Sequence, residues 1–453
     1  MGHRLIDCPD RLSRSAPPAE RPLLAYDGDC QFCSRWIIRW QQSLGGKVDI
    51  APYQSVAAKF AEDLPIECFQ SAIRLIEPDG RVFAGAEAVF RALNYGSGGS
   101  KSYWCYQHFP GFGLFARAVY RIVAAHRGLA SLFTTAIWGK EPPVPATYYR
   151  ARQLFLRLLG LIYLIAILSF WVQADGLVGH DGIAPLGQWL DQVQNHFGTQ
   201  SYWLYPTLCW FNSADWFLHA LCAVGAGLSL LLIFEVAPAL CLILLWLIYL
   251  SIAVAGQLFM DFQWDYLLLE IGFFSIFLAP LRWLPSGRSQ MPVSGWAHFI
   301  LRWLLFRLMF MSGVVKLTSG DPSWWNLTAL NCHYWTQPLP TPLAWWANQL
   351  PGWFQAFSVV VMFAVELVAP FLLFFPKRFR LAGAAGIFLL QVLIAATGNY
   401  CFFNLLTATL CLLAVDDLVW PRFGRKERPP LELAGPQWPS WLLVPLLMTV
   451  LTL

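Results

Sequence analysis

The sequence predicts two architectures in one chain: a small N-terminal α/β domain and an all-α polytopic transmembrane bundle of about eight or nine helices. Three observations predict this. The composition is 57% hydrophobic and only 13% charged, whereas a soluble domain carries about 25% charged residues. Long apolar runs begin near residue 154 and recur to the end of the chain. Ahead of them, a short apolar segment leads through a Gly turn into a Cys-x-x-Cys pair that opens a helical pattern. The formal net charge of +4 is small and dispersed, which argues against nucleic-acid binding.

Residues 1–21 are polar and Pro-containing and read as a disordered tail, with no apolar stretch of the kind a cleavable signal peptide needs. Leu23-Leu24-Ala25-Tyr26 reads as a strand and 33–43 as a helix, with Trp36, Ile37, Ile38 and Trp40 in its apolar pattern. A second strand is expected at 47–51. Ser71 to Glu77 reads as a strand that turns through Pro78-Asp79-Gly80 into Arg81-Val82-Phe83, a hairpin. Gly85 to Leu93 and Gly113 to Phe133 read as helices, and Glu141-Pro142-Pro143-Val144-Pro145 as a stiff linker. The domain boundaries that follow are 22–137 for the α/β domain, 138–150 for the linker, 151–420 for the bundle, and 421–453 for a cytoplasmic loop and a partial last helix.

About 20 apolar residues cross the hydrocarbon core. The candidate spans are 154–172, 216–234, 238–258, 266–283, 296–316, 354–375, 381–397 and 401–420. The run 441–453 is too short to span reliably. Lys and Arg set the orientation. The loop 173–215 carries Asp175, Asp181, Asp191 and Asp215 and no Lys or Arg, and 259–265 carries Asp261 and Asp265. The opposite side carries Arg150, Arg152, Arg282, Arg288, Lys377, Arg378, Arg380, Arg422, Arg425, Lys426 and Arg428. This alternation puts the N-terminal domain in the cytoplasm of a bacterial inner membrane, with the acidic and aromatic loops outside. In a eukaryotic source those loops would face the ER lumen.

Cys30 and Cys33 are the leading chemical candidates. A Cys-x-x-Cys pair placed after a strand and at a helix start is the setting of thiol redox chemistry. The free N–H groups and positive dipole end of the helix favour a thiolate on the first sulfur. Two plainer readings stand beside it, a pair of buried core thiols and a zinc site built from Cys30, Cys33, Cys105 and His108. Cys222, Cys241 and Cys411 fall in apolar runs and read as small buried hydrophobes.

Tyr26-Asp27-Gly28-Asp29-Cys30-x-Phe32-Cys33, with Ala72 to Val82, Gly85-Ala86-Glu87-Ala88-Val89 and Tyr120 to Arg127, resembles the DCC family of thiol-disulfide oxidoreductases over about 23–135. That resemblance implies a thioredoxin-like fold and a redox-active pair, Cys30 attacking and Cys33 resolving. No cis-proline loop is evident in the sequence. Ser312-Gly313-Val314-Val315-Lys316-Leu317-x-Ser319-Gly320-Asp321-Pro322-x-Trp324 resembles the lipase maturation factor family. Leu327 to Leu330, His333-Tyr334, Gln337 to Pro342, Gln263 to Glu270 and Thr397 to Asn404 extend the resemblance, which runs over about 150–420. The C-terminal soluble portion of long members has no counterpart in this sequence. Gly313-x-x-Lys316-Leu317 is distantly similar to the vitamin K-dependent carboxylase superfamily, which would make Lys316 a catalytic base.

Candidate residues for a membrane site are Lys316, Asp265, Glu270, Asp321, His333 and Glu366. Ionisable residues in spanning segments are expensive and are functional candidates by default. Lys316 shares a helical stripe with Arg302, whereas Arg307 points elsewhere. The plainer reading is that Lys316, at a helix end, snorkels to the interface. Glu366 must be inward-facing and paired, or neutral. His333, among Trp324, Trp325, Tyr334 and Trp335, belongs to an aromatic belt or lines a binding groove. A polar cavity is expected around Lys316, with Asp265 or Glu270 as its counter-charge.

The reading that follows is a membrane-anchored protein thiol-disulfide oxidoreductase. Its alternatives are a folding or maturation factor for exported enzymes such as lipases, and a carboxylase-like enzyme using Lys316 on a quinone-type substrate. The residues fix no cofactor, and a quinone is the candidate for a redox relay. No metal is assigned. Membrane lipid, exported protein clients and a thioredoxin-type reductant are the expected partners.

Overall fold

A computed structural model describes residues 11–12, 21–60, 64–96, 100–138, 146–284 and 293–420, together with 438, 439, 445 and 449. The chain divides into two compact units, Met1–Pro145 and Ala146–Leu453.

The first unit is built on a five-stranded sheet. Its strands are β1 (Arg11–Leu12), β2 (Leu23–Tyr26), β3 (Asp49–Pro52), β4 (Arg74–Ile76) and β5 (Val82–Ala84), in the order β1-β5-β4-β2-β3. Only β2 and β3 pair in parallel. Side chains alternate across a strand, and the core divides accordingly. Leu24, Leu75 and Phe83 form a cross-strand row packed against Ile37, Leu44 and Ala88. Ala25, Ile76 and Val82 face the other way, onto Phe60, Leu64 and Phe69. Each fully buried Leu or Phe of this kind contributes about 1.5–3 kcal/mol.

Helix α1 (Gln31–Leu44) follows β2 directly, as its apolar stripe Ile37, Trp40 and Leu44 requires. Helix α2 is Gly85–Asn94 and α3 is Ser100–His108. Helix α3 has no periodic signal, because Ser-Lys-Ser-Tyr-Trp carries no apolar stripe; its position rests on Tyr106 stacked 5.0 Å from Phe90. The single helix expected at 113–133 is two, α4 (Phe112–Ala125) and α5 (Arg127–Trp138). The break is at His126, whose φ of −121° and ψ of 44° leave the helical region. Arg11 and Leu12, within the segment read as a disordered tail, pair with Phe83 and Val82 as an edge strand.

The second unit is helical. Its main elements are α6 (Tyr149–Trp171), α7 (Asp215–Ile233), α8 (Pro238–Ala255), α9 (Gln263–Leu278), α10 (Gly295–Thr318), α11 (Gly352–Leu367), α12 (Lys377–Thr397) and α13 (Phe403–Cys411). Among the described residues, five segments are long and apolar enough to cross a membrane: α6, α7, α8, α12, and Gly352–Leu372, which is α11 with its short continuation. Helix α9 has 16 residues, and α10 carries Arg302, Arg307 and Lys316. Helix α6 is central: Phe155, Leu159, Ile162, Tyr163 and Ile167 are fully buried. Asp417 caps its start, accepting the Tyr149 and Arg150 N–H groups at 2.9 Å each, where an anion also meets the positive helix end. Between α10 and α11 lie three short helices, Pro322–Trp325, Leu330–Thr336 and Pro342–Asn348, the last two of which meet the end of α12. They are pinned there by Gln337 Nε2 donating to Thr397 O and Thr341 Oγ1 donating to Ala396 O, both at 2.6 Å.

Candidate functional site

In the first unit, β2 ends at Tyr26 and the turn Asp27–Asp29 delivers Cys30 to the N-cap of α1. The Cys33 N–H donates to the Cys30 Sγ at 3.4 Å. Gly28 is required by a close approach: a Cβ there would lie 2.8 Å from Pro52 Cβ. Its N–H donates to Gln54 Oε1 at 3.1 Å, and Gln54 Nε2 holds Asp27 and Asp29 at 3.2 and 3.1 Å. Arg127 closes the arrangement from α5. It pairs with Asp27 at 3.1 Å and donates to the carbonyls of Gln70 and Ser71 at 2.9 and 3.1 Å.

Beside Cys33 lies a narrow cleft of about 50 Å³, walled by Phe32, Trp36, Phe69, Ile73 and Tyr120 with Asp27 and Arg127 at its polar end. Tyr120 is fixed by the Ile73 N–H, which donates to its hydroxyl at 3.0 Å. Burial, followed by the hydrogen bond and charge interaction with Cys30, pushes the Cys33 thiol up to about 12. Among the described residues no group of His, Cys, Asp or Glu is placed to hold a metal ion. His108, the fourth residue of the zinc alternative, has its Nδ1 3.0 Å from Trp104 O of its own helix.

In the second unit, Lys316 does not snorkel alone. Its Nζ donates to Glu366 Oε1 and Oε2 at 2.7 and 2.8 Å and to Ser312 Oγ at 2.9 Å. The Lys316 side chain is 22% exposed and that of Glu366 only 4%. Gly313 makes the approach possible: a Cβ there would fall 2.7 Å from Leu367 Cδ2 and 3.1 Å from Glu366 Cβ. The Trp324 ring lies 5.6 Å from Lys316 Nζ. His333 Nε2 lies 3.3 Å from the Tyr400 hydroxyl. Burial, then the nearby Lys316 charge, holds His333 below the ordinary imidazole range.

The counter-charge of Lys316 is therefore Glu366, not Asp265 or Glu270. Asp265 is buried and accepts from the Tyr249 hydroxyl at 2.6 Å. Glu270 pairs with Arg307 across α9 and α10. Asp321 caps the helix Pro322–Trp325, accepting the Ser323 N–H at 2.9 Å. Arg302, on the same stripe as Lys316, lies over the Phe374 ring instead. The sequence reading gave no role to Ser312, Gly313, Tyr120, Arg127 or Gln54. The i, i+4 spacing of Ser312 and Lys316 is a signal for the first. Gln54 carries none.

Residues 150–422 match the family model described as lipase maturation factor transmembrane domain, and residues 24–132 match DCC1-like thiol-disulfide oxidoreductase. Lipase maturation factor 2 of Xenopus tropicalis is 44% identical over 294 residues, covering 62% of this chain and 41% of that protein. The Homo sapiens lipase maturation factor 2 is 42% identical over 315 residues, covering 65% and 44%. Lipase maturation factor 1 of Bos taurus is 35% identical over 279 residues, covering 60% and 50%. The chain spans about two fifths to a half of the length of these relatives. They are vertebrate proteins and lend no support to a bacterial inner membrane. No solved structure matches the chain. A membrane domain matched over 150–422, apolar helices able to span, and a thiol-disulfide oxidoreductase domain matched over 24–132 lead to one assignment: this integral membrane protein belongs to the lipase maturation factor family.

Proposed function

We propose that residues 24–132 form a thioredoxin-like thiol-disulfide oxidoreductase, with Cys30 as nucleophile and Cys33 as resolving thiol. The observation that carries this reading is Cys30 at the N-cap of α1, its sulfur receiving the Cys33 N–H, beside an apolar cleft. The strand order β3-β2-β4-β5 with β2 and β3 parallel supports the fold assignment. In the proposed reaction the Cys30 thiolate attacks a substrate disulfide and forms a mixed disulfide. The displaced substrate thiolate takes a proton from water. Cys33 then attacks the Cys30 sulfur, its proton passing to the second substrate sulfur as that leaves. Two electrons pass to the substrate, and a dithiol reductant of thioredoxin type restores the pair.

A second reading is maturation of exported enzymes, supported by the names of the relatives. In it the bundle presents the 319–351 segment to clients, on the side opposite the Lys- and Arg-rich ends. The third, Lys316 as base on a quinone-type substrate, is the least favoured. Three acceptors engage its ammonium group, and a base needs a free lone pair.

The test uses the full-length protein in membranes with a disulfide-bearing substrate. Cys33→Ser should accumulate mixed disulfides through Cys30, and Cys30→Ser should lose exchange activity. Trapping through Cys33 in the Cys30→Ser variant, with none in the reverse case, would overturn the assignment.

A further inference from the structure

Helix α4 has two apolar faces. One, with Tyr120, Val123 and Ala124, lines the cleft beside Cys33. The other packs on nothing described: Leu114 is 69% exposed, Phe115 66% and Ile122 64%. Helix α5 carries an exposed apolar stripe of its own, with Leu129 at 65% and with Leu132 and Phe133 at 69% each. At about 100° per residue, Leu129, Leu132, Phe133 and Ala136 fall on one stripe. No residue of α4 is buried. A water-facing surface of this kind would be a liability.

Two observations identify what covers it. From residue 88 to residue 140 the sequence contains no Asp or Glu but six Lys and Arg, of which Arg91 and Arg127 are engaged by Glu77, Glu87 and Asp27 from outside that stretch. Arg117 and Arg121, both exposed, border the apolar face of α4 on the side of the groove that they line with Glu87. A basic flank beside an apolar helical face fits the interface of an anionic bilayer. The tether is also short. Trp138 ends α5 and Tyr149 begins the first span, so even fully extended chain, at about 3.5 Å per residue, holds the C-terminal end of α5 within about 40 Å of the start of that span.

We propose that the outer face of α4 and α5 lies in the headgroup region of an anionic bilayer. The Cys33 cleft, on the opposite face of α4, would then stand about one helix diameter, roughly 10 Å, above the lipid.

The test places a photo-crosslinking benzoylphenylalanine at Phe115 or Phe133 in the full-length protein, with Lys59 as an exposed control. The protein is reconstituted in nanodiscs of phosphatidylcholine with and without phosphatidylserine. Lipid adducts at Phe115 and Phe133 should exceed those at Lys59 by about ten-fold, and rise further with phosphatidylserine in low salt. Yields equal to that at Lys59, or adducts to a protein chain in place of lipid, would overturn the proposal. Leu132→Glu supplies a second reading: it should lower the adducts at Phe115 several-fold while leaving exchange with a soluble disulfide unchanged. Unchanged adducts in that variant would count equally against the proposal.

Discussion

Cys30 and Cys33 are three residues apart, yet Cys30 caps the helix start while Cys33 lines the cleft. Burial first, then its partner sulfur, raises Cys33 from the ordinary 9.0 to about 12. The folded state therefore holds the Cys33 proton more tightly than the unfolded chain does. The stability this contributes is full below about pH 9 and is lost as pH climbs toward 12. In Cys30→Ser, where burial remains, alkylation of the peptide bearing Cys33 should stay slow through pH 9 in the folded protein. The denatured chain should react as an ordinary thiol there. Fast labelling of folded Cys33 at pH 8 would show that the sulfur is not buried. The pair itself was legible from spacing and context. The clamp around it was not, because Asp27 and Arg127 are a hundred residues apart, and no local pattern announces that α5 returns to the β2 turn.

Among elements, the pairing of α10 with α11 decides the membrane site. The sequence placed Lys316, Glu366 and His333 among its candidates but misassigned the counter-charge. Asp265 and Glu270 sit in a conspicuous acidic cluster, while Glu366 lies in a plain apolar run. What selects Glu366 is the small side of α10 at Gly313, a packing fact invisible to periodicity. Gly313→Val should push α10 from α11, lengthen the Lys316–Glu366 contact and cost about 1–3 kcal/mol as overpacking. Thermal unfolding in detergent reads this as a lower midpoint. A midpoint equal to that of the unaltered protein would mean that the two helices do not meet closely there. The same limit explains the divided helix after Ala125: apolar residues continue on both sides of His126, so the pattern carries no sign of the break.

At the scale of the whole molecule, composition and apolar runs made the two-part architecture plain, since both are sums over many residues and tolerate local error. The count of spans was less legible. Helix α9 is short and α10 carries three cations, so length and apolarity alone mark five crossings among the described residues. The Lys316–Glu366 bond has a consequence for biogenesis. Each helix meets the insertion machinery before its partner is beside it, and a charge near a helix centre costs up to about 2.5–3.5 kcal/mol there. Helix α11 with its continuation should thus enter the bilayer poorly when tested alone with a glycosylation-tag reporter. Its yield should rise when α10 precedes it, and that gain should vanish with Lys316→Ala. Glu366→Leu should insert unaided. If the isolated segment already enters fully with Glu366 in place, the two helices are recruited one by one. Otherwise the ion pair makes them a single unit of membrane entry, synthesised about 50 residues apart and admitted together.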